Sequence, residues 1–181
     1  MGVKKLAYYK HINKTFVLQH DQSDCGVACL LSLIQYYNGS NALEKLRELS
    51  GTTKEGTTLL GLYQAANQLG FTAKGNEADI QAVIDHEEPL ILHVVIEDRL
   101  QHYVICYGYE NDKFTIGDPA KGIVLYTKEE LEKVWKSKTC LTLTPNTYFV
   151  NTEKQNKDKK QWFINLLKED YRVISFSVLL G

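Results

Sequence analysis

Cys25 is the residue best placed to do chemistry. It follows the polar stretch Gln19-His20-Asp21-Gln22-Ser23-Asp24 and opens the apolar, helix-patterned run Cys25-Gly26-Val27-Ala28-Cys29-Leu30-Leu31-Ser32-Leu33-Ile34-Gln35-Tyr36-Tyr37. Ser23 and Asp24 are residue types that cap helix starts, so Cys25 is expected in the first turn. Unpaired N–H groups and the positive end of the helix dipole favour a thiolate there. A thiolate is a nucleophile at neutral pH, whereas a buried thiol is an inert small hydrophobe. Covalent chemistry at Cys25 needs three further groups: a base, a residue that orients the base, and a donor for the oxyanion of a tetrahedral intermediate.

The base is expected among five histidines, His11, His20, His86, His93 and His102. His93 lies inside an apolar strand run and reads as a packed core residue. His86, beside Glu87 and Glu88, reads as solvated, and His11 belongs to a polar N-terminal arm. His20 is near Cys25 in sequence, but a loop residue five positions before a helix need not face it. His102 opens a buried strand directly after a polar loop, where a side chain can be both held and accessible. Asp118 ends the next predicted strand. If the two strands pair about Asn111, His102 and Asp118 fall roughly opposite each other, which favours a hydrogen bond from the imidazole to the carboxylate. Local sequence alone reads Gly117-Asp118-Pro119 first as a strand-ending turn; only the register gives Asp118 a second role. Gln19, with the backbone N–H of Cys25, is the candidate oxyanion donor, though a loop glutamine taken by itself reads as solvated. Cys25 and Cys29 invite a zinc reading, but Cys106 and Cys140 stand singly and the second ligand pair is missing. No metal site is expected, and no phosphate-binding loop occurs in the chain.

The elements that must position these groups follow from periodicity. Val3 to Leu18 reads as extended or irregular. The first helix is expected over Asp24–Tyr37, stopping at Asn38-Gly39, and a second over Ala42–Leu49, with Asn41 and Glu44 as a capping box and Gly51 as the stop. A third, capped by Thr57 or Thr58, carries Leu59, Leu62, Ala65, Ala66 and Leu69. A brief strand at Phe71–Ala73 and a short helix over Asp79–Asp85 follow. The period then changes. Leu90–Ile96 and Tyr103–Tyr109 are continuous apolar, β-branched runs of the kind buried on both faces. Lys113–Ile116 and Gly122–Tyr126 read as further strands, Thr127 with Glu130 caps a helix to about Lys136, and Cys140–Leu143 is a last strand. Helices followed by a mainly antiparallel sheet is an α+β arrangement.

Composition agrees with one globular domain and an appendage. The chain has 181 residues, 44% apolar and 24% charged, with a formal net charge of −1, so nucleic acid is not an expected partner. Four cysteines at irregular spacing are not a disulfide framework, and no signal-peptide pattern opens the chain. Residues 1–150 are expected to form the domain and 151–181 a linker and juxtamembrane helix. Asn151–Lys160 is polar and lysine-rich; Trp162–Leu167 resumes a helical pattern. The final apolar run, Val173–Gly181, falls short of the ~20 residues a membrane span needs and looks like the start of one. A C-terminal core helix is the other reading.

Gln19, Asp24-Cys25-Gly26-Val27-Ala28-Cys29, then Gln101-His102-Tyr103-Val104-Ile105, then Ile116-Gly117-Asp118-Pro119-Ala120 resemble the N-terminal peptidase domain of peptidase-containing ABC transporters. These bacterial exporters process bacteriocin, lanthipeptide or quorum-sensing precursors. The match runs over roughly Phe16 to Leu143. It implies a papain-like fold with Cys25 as nucleophile, His102 as general base and acid, Asp118 orienting His102, and Gln19 with the Cys25 N–H as oxyanion hole. It implies no cofactor for the peptidase domain, with ATP and Mg needed only by an ATPase domain beyond this chain. The implied partners are a precursor peptide whose helical leader ends in Gly-Gly or Gly-Ala, and the transmembrane and ATPase domains of a transporter expected to be a homodimer. The implied location is the cytoplasmic face of the bacterial cell membrane. The alternative is a non-hydrolytic leader-binding module of such an exporter, since some relatives lack the cysteine; Cys25 argues against it.

Overall fold

In a computed structural model, which describes residues 3–97 and 99–151 together with residue 164, six strands form one antiparallel sheet in the order β1-β6-β2-β3-β4-β5. The elements are α1 (Val3–Thr15), α2 (Cys25–Tyr36), α3 (Leu43–Ser50), α4 (Leu59–Gln68), β1 (Phe71–Glu77), α5 (Ile80–Asp85), β2 (Leu90–Ile96), β3 (Leu100–Glu110), β4 (Lys113–Asp118), β5 (Gly122–Tyr126), α6 (Lys128–Val134) and β6 (Thr139–Pro145). The expected α+β order is therefore present. The linker and juxtamembrane helix expected over 151–181 lie, apart from residues 151 and 164, outside the described residues.

Burial explains the continuous apolar strands. Ile91, Tyr103, Ile105, Tyr107, Leu141 and Leu143 face one core with α1 to α4. Leu90, Leu92, Val94, Val104, Cys106 and Cys140 alternate with them and face a second core with Val83, Leu131 and Trp135. Central strands covered on both faces have no solvent side to keep polar. α2 is buried from Cys25 to Ile34, which is why it shows no polar stripe.

Four local expectations are corrected. Val3–Leu18 is not irregular: Val3–Thr15 is helical, docked by the fully buried Ile12 and by a hydrogen bond from the Tyr8 hydroxyl to the Tyr107 carbonyl. Asn41 and Glu44 form no capping box; Ala42 is the cap, and Asn41 Oδ1 accepts from the Ala42 N–H at 2.9 Å. β3 begins at Leu100, so His102 sits inside the strand rather than opening it, and β4 runs through Asp118 rather than breaking before it. Helix α6 stops at Val134, short of Lys136. Of the two threonines expected to cap α4, Thr58 does so, and the expected cap at Thr127 is formed; Asp79, expected inside its helix, is instead the cap of α5.

Helix α4 lies hard against the end of α3. A Cβ on Gly61 would fall 2.1 Å from the Ser50 carbonyl oxygen, and backbone cannot step aside as a side chain can. Alanine would gain up to about 1 kcal/mol of helix propensity at this position. The overpacking strain, typically ~1–3 kcal/mol, is the larger effect. Gly61→Ala is therefore expected to lower the melting temperature by several degrees in thermal denaturation; an unchanged or raised value would show that the two helices have room to part.

Candidate active site

The site is assembled where the start of α2 meets β3 and β4. A single 3-10 turn, Gln22–Asp24, leads into α2, so Cys25 lies at the helix start as expected and Asp24 in the cap position. The Asp24 side chain does not cap the helix. It is fully buried and turned away, to accept from Arg47 Nε at 2.8 Å and Arg47 Nη2 at 2.6 Å, and from the Asp21 N–H at 3.0 Å. The Arg47 hydrogen bonds hold this carboxyl below its ordinary pKa against the opposing effect of burial.

His102 and Asp118 meet through a backbone irregularity. Pairing of β3 with β4 begins at Glu110↔Lys113 and keeps that register to Gly108↔Thr115, then shifts by one residue so that Cys106 faces Ile116 and Ile105 faces Gly117. Tyr107 is the extra residue, and Gly108 takes a φ of +142° that side chains rarely adopt. Continued by one position, the shifted register sets Asp118 opposite Val104. It then lies diagonal to His102 and on the same side of the sheet, rather than directly across from it as expected. Without the bulge Asp118 would fall opposite Ile105, on the other side. The resulting hydrogen bond, His102 Nε2 to Asp118 Oδ1, is 2.8 Å long.

Both partners are buried, His102 to 4% and Asp118 to 1% exposure. Asp118 Oδ1 also accepts from the Ala120 N–H at 3.0 Å, and Lys121 Nζ lies 3.4 Å from Oδ2. Burial alone would raise the Asp118 pKa, but these partners, His102 first, hold it below its ordinary value. Burial likewise works against a charged His102. Hydrogen bonds to Asp118 and to Cys25 outweigh it and push the imidazole up to about 9. With Nε2 engaged by the carboxylate, Nδ1 is the ring nitrogen left for the cysteine sulfur.

Gln19 is tied to the same corner, since its N–H donates to the Pro119 carbonyl at 3.0 Å, one residue past Asp118. Its side-chain oxygen is buried without a hydrogen-bond partner among the described residues, so no neighbour there holds the amide by that atom. Beside Cys25 opens a cleft of about 430 Å³, walled by Thr57, Leu59, His93, Gln101 and Tyr103.

The remaining residues sort differently from expectation. His20 is exposed and Cys29 fully buried, its thiol pushed well up by burial. His93 is not a core residue: it is half-buried on the cleft wall, its ring centroid 5.2 Å from that of Tyr103, and burial lowers its pKa. His86 is half-buried rather than solvated: it follows α5 as the C-cap residue, and its Nε2 is buried. His11 bonds the Tyr36 carbonyl at 2.9 Å. Arg47 went unremarked in the sequence, where an arginine 22 residues downstream of Cys25 on an amphipathic helix carries no signal.

Helices packed on an antiparallel sheet, with a cysteine at a helix start facing a histidine–aspartate pair, define a papain-like cysteine peptidase. Within that class the chain belongs to the Peptidase C39 family, whose model matches residues 13–148. It is 37% identical over 124 residues to the lactococcin-G-processing and transport ATP-binding protein LagD of Lactococcus lactis, covering 67% of this chain and 18% of that protein. It is 35% identical over 165 residues to the transport/processing ATP-binding protein ComA of Streptococcus pneumoniae, covering 89% of this chain and 23% of that protein. Among solved structures, the peptidase domain of Streptococcus ComA, a bi-functional ABC transporter involved in a quorum-sensing pathway, superposes with a TM-score of 0.67 at 38% identity, over 72% of this chain and 97% of that one. A double-glycine-motif protease from an AMS/PCAT transporter, solved with its leader peptide, gives a TM-score of 0.66 at 28% identity, over 72% and 90%. The chain spans about a fifth of the length of the curated relatives it matches.

The raised His102 pKa makes a stability prediction. A histidine at about 9 when folded and about 6.5 when unfolded contributes stability that is complete below pH 6.5 and lost as pH rises through 9. Melting curves from pH 6 to 10 should show this loss. In Asp118→Asn the hydrogen bond to a full negative charge is gone, so the loss should move to lower pH. Identical pH profiles for the two proteins would contradict the pairing.

Proposed function

We propose that Cys25 is the nucleophile, His102 the general base and acid, Asp118 the group that orients His102, and Gln19 with the Cys25 N–H the oxyanion hole. The buried His102–Asp118 hydrogen bond, with Cys25 at the start of α2 close enough to act on the same imidazole, carries this reading. As His102 Nδ1 takes the thiol proton, Cys25 Sγ attacks the carbonyl carbon of the scissile peptide; the C–S bond forms and the carbonyl π electrons move onto oxygen, which the Gln19 amide and the Cys25 N–H receive. His102 then passes its proton to the peptide nitrogen, the C–N bond breaks and the amine product leaves. Water attacks the thioester as His102 takes one of its protons, and the acid product and the thiol are released. Asp118 keeps Nε2 occupied through both halves, so Nδ1 stays directed at the sulfur.

The substrate we infer is a precursor peptide cut after a leader ending in Gly-Gly or Gly-Ala. The double-glycine protease that this chain resembles supports this, since it was solved with its leader. The chain is read as the peptidase part of a bacterial exporter of bacteriocin-like or signalling peptides, on the cytoplasmic face of the membrane. In that reading the rest of the protein supplies membrane and ATPase domains, uses ATP and Mg, and forms a homodimer. The transport functions of the relatives support it.

Incubation with synthetic leader–cargo peptides varied at the last two leader positions tests the substrate. Cleavage should occur after Gly-Gly and Gly-Ala and fall at least ~100-fold when either residue is made large; equal turnover across the panel would sink the double-glycine reading. Cys25→Ala should abolish cleavage while retaining peptide binding by fluorescence anisotropy. Gln19→Ala should lower kcat by about 10²–10³ with little change in KM, the usual cost of one oxyanion donor.

A further inference from the structure

Asp24 is buried to 0% exposure directly before the nucleophile, and a buried carboxylate persists only where its lone pairs are used. Its partners come from both sides of the oxyanion hole. On one side it accepts from the Asp21 N–H at 3.0 Å, two residues after Gln19. On the other, its own backbone leads into Cys25, whose N–H is the second oxyanion donor. Arg47 closes the knot from α3 with two hydrogen bonds, the fork geometry that suits a carboxylate. Arg47 Nη2 also lies 3.6 Å from Asp21 Oδ2.

The same arginine is tied to the cleft wall. Its carbonyl accepts from the Thr52 N–H at 2.9 Å. From there a chain of hydroxyls runs Ser50 to Thr52 at 2.8 Å and Thr52 to Thr57 at 2.7 Å, ending on the wall beside Cys25. The charge also has an electrostatic consequence: the guanidinium neutralises a buried carboxylate on the residue that precedes Cys25.

We propose that Asp24 and Arg47 are positioning residues for peptide cleavage, holding the Gln19 loop and the Cys25 N–H at the spacing an oxyanion requires. This rests on the peptidase reading. Asp24→Asn keeps the shape of the side chain but turns one acceptor into a donor facing Arg47. Arg47 is itself one-third exposed and stays solvated in that variant. Arg47→Lys keeps the charge and loses the fork.

Cleavage of a synthetic Gly-Gly leader–cargo peptide by the 181-residue chain and both variants tests this, with thermal melting and carbamidomethylation of Cys25 by iodoacetamide measured alongside. Alkylation needs the sulfur but no oxyanion hole, so it separates the two functions of the turn. Each variant should lower kcat at least tenfold with KM and alkylation rate within about twofold of the parent, and remain folded at the assay temperature. Unchanged kcat overturns the proposal. So does a loss that matches the unfolded fraction or an equal loss of alkylation, and so does failure of both variants to fold, since each marks a purely structural role. If only Asp24→Asn fails to fold, Arg47→Lys decides. A parent chain that cleaves nothing marks failure of the peptidase reading; a parent that cleaves alongside equally active variants marks failure of this proposal alone.

Discussion

Two buried carboxylates set the constraint on which the rest of the structure depends. Asp24 and Asp118 are exposed to 0% and 1%, and neither can stay ionised there without fixed donors. Asp24 binds Arg47 and the Asp21 N–H, two residues past Gln19; Asp118 binds His102, the Ala120 N–H and the nearby Lys121. Each carboxylate therefore draws one half of the site together. Asp24 organises the turn that presents Cys25, and Asp118 organises the strand ends that present His102. The bond from the Gln19 N–H to the Pro119 carbonyl then joins the halves. Geometry that catalysis needs is held here by the electrostatic cost of leaving either group unpaired.

The sheet makes this arrangement rigid. β3 is covered by helices on both faces, and its alternating side chains enter two separate cores. A strand held in that way cannot rotate about its axis without exposing one core, so His102 has little freedom beyond its own side-chain torsions. The bulge at Tyr107 trades one unpaired residue for a one-position shift in register. The shift brings Asp118 to the side of the sheet that His102 occupies.

Strong periodicity and local chemistry were readable from residues alone. The buried strands, the helix that opens at Cys25, and the caps at Thr58 and Thr127 all follow from them. Helix α1 was not readable, because its apolar residues gather on no single face and it depends on docking of Ile12 and Tyr8 onto elements far along the chain. The pairing of His102 with Asp118 was found by a register that assumed no bulge. It was right about the neighbours and wrong about the alignment, since a bulge is one residue's worth of tertiary information. His93 was misread for a related reason: position in an apolar strand does not reveal where the sheet opens onto a cleft. Arg47 had no signal at all, being an ordinary exposed-face residue until Asp24 is known to be buried.

Selection among the four cysteines shows what the site adds to burial. All four are buried, and Cys25 is only slightly more exposed, at 6%, than Cys140 at 3% or Cys106 at 1%. Exposure therefore does not single out Cys25, the proposed nucleophile. Desolvation pushes the Cys29 thiol well up, the Cys106 thiol to about 12 and the Cys140 thiol upward, which keeps each neutral and unreactive in its core. Cys25 differs in lying at the helix start within electrostatic reach of an imidazole that Asp118 holds toward its charged form. Cys29, one helical turn further along α2, is fully buried, and every influence on its thiol raises it. In the proposed mechanism the chemistry is thus confined to the first turn of α2 by the reach of one histidine, and that reach is set by the alignment of β3 with β4.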